Sequence, residues 1–435
     1  MSDKRYIVRY QFKMLSTGLL RIGDEDNGVQ FDVLSGRPII PATSLAGALH
    51  AYLYHNADRN HLEMLFGSIS NHGRKSKVFF KDSIAEQWNE ELGLEERRHV
   101  AINRKSGAAD QGSFYSLAAL PAGIEFPITI EIHADNETEK NQFISLMEDA
   151  VSGIHRGSIR LGAKKTNGNG SFEISEVTRY TYNLYDREEL KAHLLNKECN
   201  REDITGDIID RTHQDHLFEV ICKDVKTDTP LLVGGIDENE VGDDDKRSVK
   251  NKRGEYLIPG SSLKGVLRSQ CERIADYLSL DGRIICEMFG TDEGDGKCGV
   301  VYVDDAVLRE VNDKVSYHNV TIDRFTGGAY TERTFSNRPI IGTSDLKVHM
   351  QLDADDECKN VKKGIILLAM RDIVRGTRPV GGYSKSGYGR LKASKFEVAD
   401  EGDEYDIILD QSNDKVEKYV QAAVDFGKTH GRNSE

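Results

Sequence analysis

The sequence predicts an α+β fold made of two tandem copies of one β-α-β-β-α-β module, each carrying a hairpin-sized insertion. Three observations carry this reading. Five sequence blocks recur in the same order at a nearly constant offset, apolar residues alternate with strand and helix periods in matching order, and a glycine-rich block precedes the last strand of each copy.

The repeat sets the organisation. Pro41-Ala-Thr-Ser-Leu-Ala-Gly-Ala-Leu49 matches Pro259-Gly-Ser-Ser-Leu-Lys-Gly-Val-Leu267, and Leu65-Phe66-Gly67-Ser68 matches Met288-Phe289-Gly290-Thr291. Val100-Ala-Ile-Asn-Arg104 pairs with Val320-Thr-Ile-Asp-Arg324, then Tyr115 with Phe335 and Arg156-Gly157 with Arg375-Gly376. Gly162, Gly168 and Gly170 recur as Gly381, Gly387 and Gly389. Conserved order and offset together mean a duplication.

Each element follows in turn. Strand-like openings at Tyr6 to Leu15 and Leu217 to Cys222 lead to the Pro blocks, where Ser44 and Ser262, or the residues before them, are good N-cap types. Leu45, Leu49 and Leu53, and Leu263, Leu267, Ile274 and Leu278, then recur at helical spacing. Short strands at Val78 to Lys81 and Val300 to Val303 precede the alternating runs Ile128, Ile130, Ile132 and Leu346, Val348, Met350. Second helices carry Phe143, Leu146, Met147 and Ile154, or Ile366, Ala369, Met370 and Ile373; last strands begin at Phe172 and Phe396. This order is the ferredoxin-like split motif that RNA-recognition (RRM-like) folds share. The expected divisions are 1–185, a charged connector 186–215, a second domain 216–400, and an acidic tail 401–435 with one short helix at Val416 to Phe426.

Bulk composition bounds the function. At 435 residues the chain suits two domains of about 150–200 residues. No window resembles a membrane span, and the opening residues run straight into strand-like sequence, so neither a signal segment nor a membrane partner is expected. Six scattered cysteines without a C-x-x-C pair suit the reduced cytoplasm and give no zinc signature. A net charge of −14 argues against a nucleic-acid partner, yet affinity for phosphate depends on where the cations sit.

The recurring blocks place cations usefully. Glycines let successive amides converge on an anion, and Lys164, Lys165 and Lys385 lie inside the glycine blocks, with Arg156, Arg160, Arg375 and Arg378 just upstream. That combination suits a sugar-phosphate backbone, and Gly168 and Gly387 would allow close approach; the plain alternative is a turn before an edge strand. Helix starts at the Pro blocks offer amides to phosphate, and copy two adds Lys264 and Arg268 on one face. The stretches Asn103 to Tyr115 and Asp323 to Phe335 each hold an arginine (Arg104, Arg324), a glycine turn and an aromatic, which suits RNA stacking or a hairpin with a core aromatic.

Two acids stand out. Asp26 and Asp244 each lie 15 residues before their Pro, whereas Asp32 has Lys250 at the position matched by the same count. Asp243 or Asp245 are alternative partners after a gap. Beside a phosphate groove, such a carboxylate can bind a divalent cation or help a 2′-hydroxyl attack the adjacent phosphorus. Gly290 to Lys297 departs from a Walker loop in spacing, with Cys298 in place of Ser/Thr, and the histidines do not repeat at matched positions. A histidine-centred ribonuclease is therefore less attractive.

The blocks Ile258 to Arg268, His318 to Ala329 and Gly381 to Gly389 resemble motifs of the RAMP superfamily, closest to the repeated backbone subunit of type III CRISPR–Cas effectors. Copy one departs at Ala42 and Ala46 and has a single Gly162 where the family has a pair. The resemblance implies subunits stacked along a crRNA, with hairpin thumbs (Asn103 to Tyr115, Asp323 to Phe335) wedged into the guide–target duplex. It also implies an aspartate per copy, Asp26 and Asp244, for cleavage of single-stranded target RNA with a divalent ion, Mg2+ or Mn2+, and other effector subunits as partners. A non-catalytic RNA-binding scaffold and a stand-alone crRNA-maturation endonuclease are the competing readings.

Overall fold

The computed structural model describes residues 5–23, 28–68, 73–88, 93–102, 112–211, 217–235, 246–291, 298–314, 316–353, 355–409 and 411–430. The chain divides into two compact units: Met1–Arg97, Ser116–Lys165 and Asn169–Asp215, and Arg98–Tyr115, Thr166–Gly168 and His216–Glu435.

In the first unit the opening strand Tyr6–Ser16 turns Val8, Tyr10, Phe12 and Met14 inward, as a period of two requires. It runs antiparallel between Glu125–Ala134 and Phe172–Asn183, with Tyr10 opposite Ile130 on one side and Arg179 on the other. The sheet reads Val78–Phe80, Glu125–Ala134, Tyr6–Ser16, Phe172–Asn183, Arg201–Asp203. Numbering the four module strands along the chain gives 2-3-1-4, the ferredoxin-like order. Helices Ala42–Asn56 and Glu137–His155 fill the same core with Leu45, Leu49, Leu53, Phe143, Met147 and Ile154. Each such side chain contributes about 2 kcal/mol on burial.

The second unit repeats the plan. Leu217–Thr227 lies between Ile341–Gln351 and Lys395–Asp400, with Val301–Val303 outside, again 2-3-1-4. Phe218 faces Met350 and Val220 faces Val348 in register. Helices Gly260–Tyr277 and Lys359–Val374 supply Leu263, Leu267, Ile366, Met370 and Ile373 to its core. The fold is thus α+β with antiparallel sheets, as expected.

Two segments differ from their sequence reading. The stretch 186–215, read as a connector, contains helix Arg187–Leu194, strand Arg201–Asp203 and helix Thr205–Ile209. The strand pairs with Phe172–Asn183, and Ile204 and Ile208 are buried in the first core. The stretch 401–435, read as a tail, contributes strand Asp403–Ile408, paired with Lys395–Asp400, and a 17-residue helix Asp414–His430. Ile407, Tyr419 and Ala423 from it are buried in the second core. The short apolar run at 416–426 shows only the inward stripe of that helix; its polar flanks hide its length. Among the described residues no helix is long and apolar enough to cross a membrane.

Candidate nucleic-acid interface

The glycine blocks adopt the same backbone path in both copies. Matched φ values are +83° and +87° at Gly162 and Gly381, +91° and +93° at Gly168 and Gly387, and +76° and +80° at Gly170 and Gly389. The non-glycine pair Lys164 and Tyr383 shares the left-handed region at +58° and +54°. Each loop is fastened to the segment leaving the opening strand. Ala163 N–H donates to the Arg21 carbonyl at 2.8 Å and Gly382 N–H to the Leu232 carbonyl at 2.7 Å. Gly170 N–H reaches Leu19 and Gly389 N–H reaches Pro230, both at 2.8 Å. Lys164, Lys165, Lys385 and Gly387 are exposed, whereas Gly168 is buried.

The fastened segments lead into the acid-bearing loops. Gln30 N–H donates to Ile22 O at 2.7 Å, and Val249 N–H donates to Val233 O at 2.9 Å, so the same bond closes both loop bases. Asp26 and Asp244, inside these loops, lie outside the described residues. Beyond each base a turn follows, headed by Asp32 (Ser35 N–H to Oδ2, 2.7 Å) or Asn251 (Arg253 N–H to Oδ1, 3.0 Å). The first turn closes from Asp32 to Arg37 and the second from Asn251 to Glu255, one residue shorter.

That single residue makes a count from the loop base differ by one from the count made from the prolines. Asp32 matches Asn251, and Lys250 matches Phe31, each bridged across its turn, to Tyr256 and Pro38 respectively. Counted from the loop base, Asp26 stands four residues before Gln30, and the residue four before Val249 is Asp245, with Asp244 one further back. Asp32 is a turn residue; bonds from the Ser35 hydroxyl and amide hold its carboxyl below the usual range. In the second unit the loop flanks Gly234–Gly235 and Lys246–Ser248 pair with each other, and Lys246–Ser248 pairs in parallel with Asn337–Arg338 of the hairpin.

The helix starts are capped differently from expectation. The N-cap residues are Pro41 and Pro259, and Ser44 and Ser262 lie inside the first turn. Asp82 Oδ1 accepts from Ala42 N–H and Asp305 Oδ1 from Gly260 N–H, each at 2.7 Å. A carboxylate at the positive helix end already offsets the dipole, which weakens the phosphate reading of these two amides. Arg268 donates from Nε to Glu272 at 3.2 Å on its own helix, while Lys264 is half-buried.

Several upstream arginines hold the protein chain. Arg156 donates to the Arg211 carbonyl at 3.0 Å and to the Tyr52 hydroxyl at 3.1 Å, and Arg375 to the Leu409 carbonyl at 2.6 Å. Arg160, expected from its place just upstream of the glycine block to contact phosphate, is only 4% exposed. Arg378 donates to Ser269 Oγ at 2.8 Å; burial and the neighbouring Arg273 guanidinium lower its pKa from the ordinary arginine value.

The insertions are antiparallel pairs. In the second unit Tyr317–Ile322 pairs with Ala329–Arg338, and Phe335 sits opposite Asn319 near the base rather than at the tip. The tip is a turn headed by Asp323, whose amide donates to Gly328 O at 2.8 Å and whose Oδ1 accepts from Phe325 N–H at 2.7 Å. Arg324 is exposed there, and Phe325, which the sequence reading passed over, is 101% exposed. In the other insertion Glu95–His99 and Tyr115–Ala119 form the pair; Tyr115 is 44% exposed and stacks on His99 at 5.1 Å. Arg104 lies outside the described residues.

Fold, duplicated loops and insertions together define a tandem RNA-recognition-like module. The sequence profile of the RAMP superfamily matches residues 15–173 and 224–392, once per copy; the chain belongs to the RAMP superfamily. Among curated relatives it is similar to the "CRISPR system Cms endoribonuclease Csm3" of Methanocaldococcus jannaschii, 27% identical over 203 residues covering 42% of this chain and 80% of that protein. The protein of the same name from Streptococcus thermophilus is 26% identical over 210 residues, covering 42% of this chain and 90% of its own length. Each relative thus spans close to its full length on less than half of this chain.

Proposed function

We propose that the chain is a crRNA-binding backbone subunit of a type III CRISPR effector that cleaves guided target RNA at one site per copy. The observation that carries this reading is the duplicated acid-bearing loop, closed by the same backbone bond and joined directly to the segment that fastens the glycine block. Lys164, Lys165 and Lys385 would then hold the phosphate backbone, and Asp26 and Asp244, with Asp245 as the neighbour matched by the count from the loop base, would serve the reaction. The carboxylate would orient a 2′-hydroxyl for in-line attack and take up its proton: the O2′–H and P–O5′ bonds break, the O2′–P bond forms, and the 5′-oxygen leaves with a proton, so one proton is lost at O2′ and one gained at O5′. The acid loops offer hard oxygen donors, which fit Mg2+ or Mn2+; such an ion would neutralise charge developing on the phosphoryl oxygens.

Guided cleavage by the assembled complex tests the assignment. Asp26→Asn should erase one cut, and Asp244→Asn or Asp245→Asn the neighbouring one, with crRNA retained throughout. Whichever of the last two kills the second cut shows which count matters, the one from Pro259 or the one from the loop base. Both cuts surviving in the triple variant would leave a non-catalytic scaffold as the correct reading. Chelation by EDTA should stop cleavage while leaving crRNA bound.

The exposed hairpin tip gives a separate expectation. Phe325→Ala removes no buried area, so the melting temperature should not move. Target binding should weaken by about 1–3 kcal/mol if the ring stacks on a base. Unchanged target affinity and unchanged cut positions would assign the tip no role in target binding.

A further inference from the structure

In the second copy three tyrosines converge where the hairpin base meets the glycine loop. Tyr388 lies between Tyr317 and Tyr383, with ring centroids at 6.0 Å and 5.9 Å and planes tilted by 58° and 50°. Tyr317 opens the hairpin strand and is 39% exposed. Tyr383 and Tyr388 belong to the loop itself, where Lys385 is exposed between them. Burial, then the neighbouring Tyr317 and Tyr383 hydroxyls, raises the pKa of Tyr388.

The backbone marks Tyr383 further. Its φ of +54° lies in the left-handed region, which glycine enters freely and an L side chain only with strain. Four glycines stand close by, at 381, 382, 387 and 389, yet this left-handed position carries a large aromatic. Strain held at a defined position points to use of the side chain. At the matched positions the first copy has Arg97, Lys164 and Asn169, with no ring among them.

We propose that Tyr317, Tyr383 and Tyr388 form a stacking platform for one unpaired RNA base, present in the second copy alone, beside the backbone phosphate taken by Lys385. The proposal rests on the RNA-binding reading above and adds a base-facing site to it. Stacking on tyrosine tolerates any base, so the platform fixes a nucleotide's position without reading its identity.

The test uses the full chain and a single-stranded guide RNA in which 2-aminopurine replaces one base at a time. One position should show quenched fluorescence on binding, and Tyr383→Gly, which removes the ring and relieves the backbone, should restore it. Affinity should fall roughly 5- to 150-fold in Tyr383→Gly or Tyr317→Ala and be kept in Tyr317→Phe and Tyr388→Phe, which retain the rings. Melting curves identify any variant that fails to fold, and Tyr383→Gly is the one least exposed to that failure. If Lys385→Glu weakens binding while no position is quenched and the tyrosine variants bind normally, the platform is refuted and the RNA-binding reading stands. If none of these variants changes affinity and binding is insensitive to salt, the RNA-binding reading fails as well.

Discussion

Replacing Asp400 by alanine should unfold the second copy's core while leaving the first copy's sheet protected. Lys363, 3% exposed, donates from Nζ to Asp400 Oδ1 at 2.5 Å; the carboxylate is 7% exposed and also accepts from the Tyr419 hydroxyl. Lys363 Nζ also lies over the Phe218 and Tyr419 rings at 5.5 Å each. Removing one member leaves a buried ammonium without its main counter-charge, a loss of about 3–5 kcal/mol. That is a large share of an ordinary domain's stability. Hydrogen exchange should show protection lost across 359–374 and 414–430, with the strands of the first unit unaffected. The paired change Lys363→Met with Asp400→Leu leaves no buried charge and should recover most of the loss. Native protection in Asp400→Ala would show that the helix Asp414–His430 is held by apolar contact alone.

Gly389→Ala and Gly170→Ala should collapse the glycine loops. A Cβ at either position would lie 1.9 Å from a carbonyl oxygen, of Val380 or Leu161, at a φ of +80° or +76°. The backbone cannot yield cheaply, because Val380 N–H donates to Gly389 O at 2.8 Å and Leu161 N–H to Gly170 O at 3.0 Å. Strain in the left-handed region and overpacking together cost on the order of 3 kcal/mol per site. Gly387→Ala is the control: a Cβ there meets nothing within 4 Å, so only the conformational strain at φ +93° remains. A thermal melt ranks the three, and Gly387→Ala matching the other two would refute the close-contact argument.

Much of this fold was legible because its signals are local or duplicated. Val8, Tyr10, Phe12 and Met14 alternate within one strand, and Leu45, Leu49 and Leu53 mark one helix face. The glycine blocks were legible because two copies needed the same left-handed residues. Features set by distant partners were not. Asp82 and Asp305 cap helices that begin about forty residues earlier in the chain, so nothing near Ala42 or Gly260 announces them. Strand Arg201–Asp203 is exposed throughout and has no apolar pattern; its place follows only from pairing with Phe172–Asn183. The one-residue shortening of the turn at 251–255 is invisible to a count from Pro259, yet it moves the count by one, from Asp244 to Asp245. Phe325 was passed over because its matched position in copy one is Lys105, so the repeat gave it no weight.

The burial of Tyr419 and Ala423 in the second core has a consequence for synthesis. Every strand of the first unit's sheet lies before residue 204, so that sheet can close while the rest of the chain is still being made. The second core lacks part of its apolar lining until residues 407–423 have emerged. Until then Phe218, Ile366 and their neighbours wait with that side uncovered, in the partly folded condition where chains associate wrongly. A ribosome stalled shortly after residue 400 should therefore carry a finished first copy and an unfinished, chaperone-dependent second one.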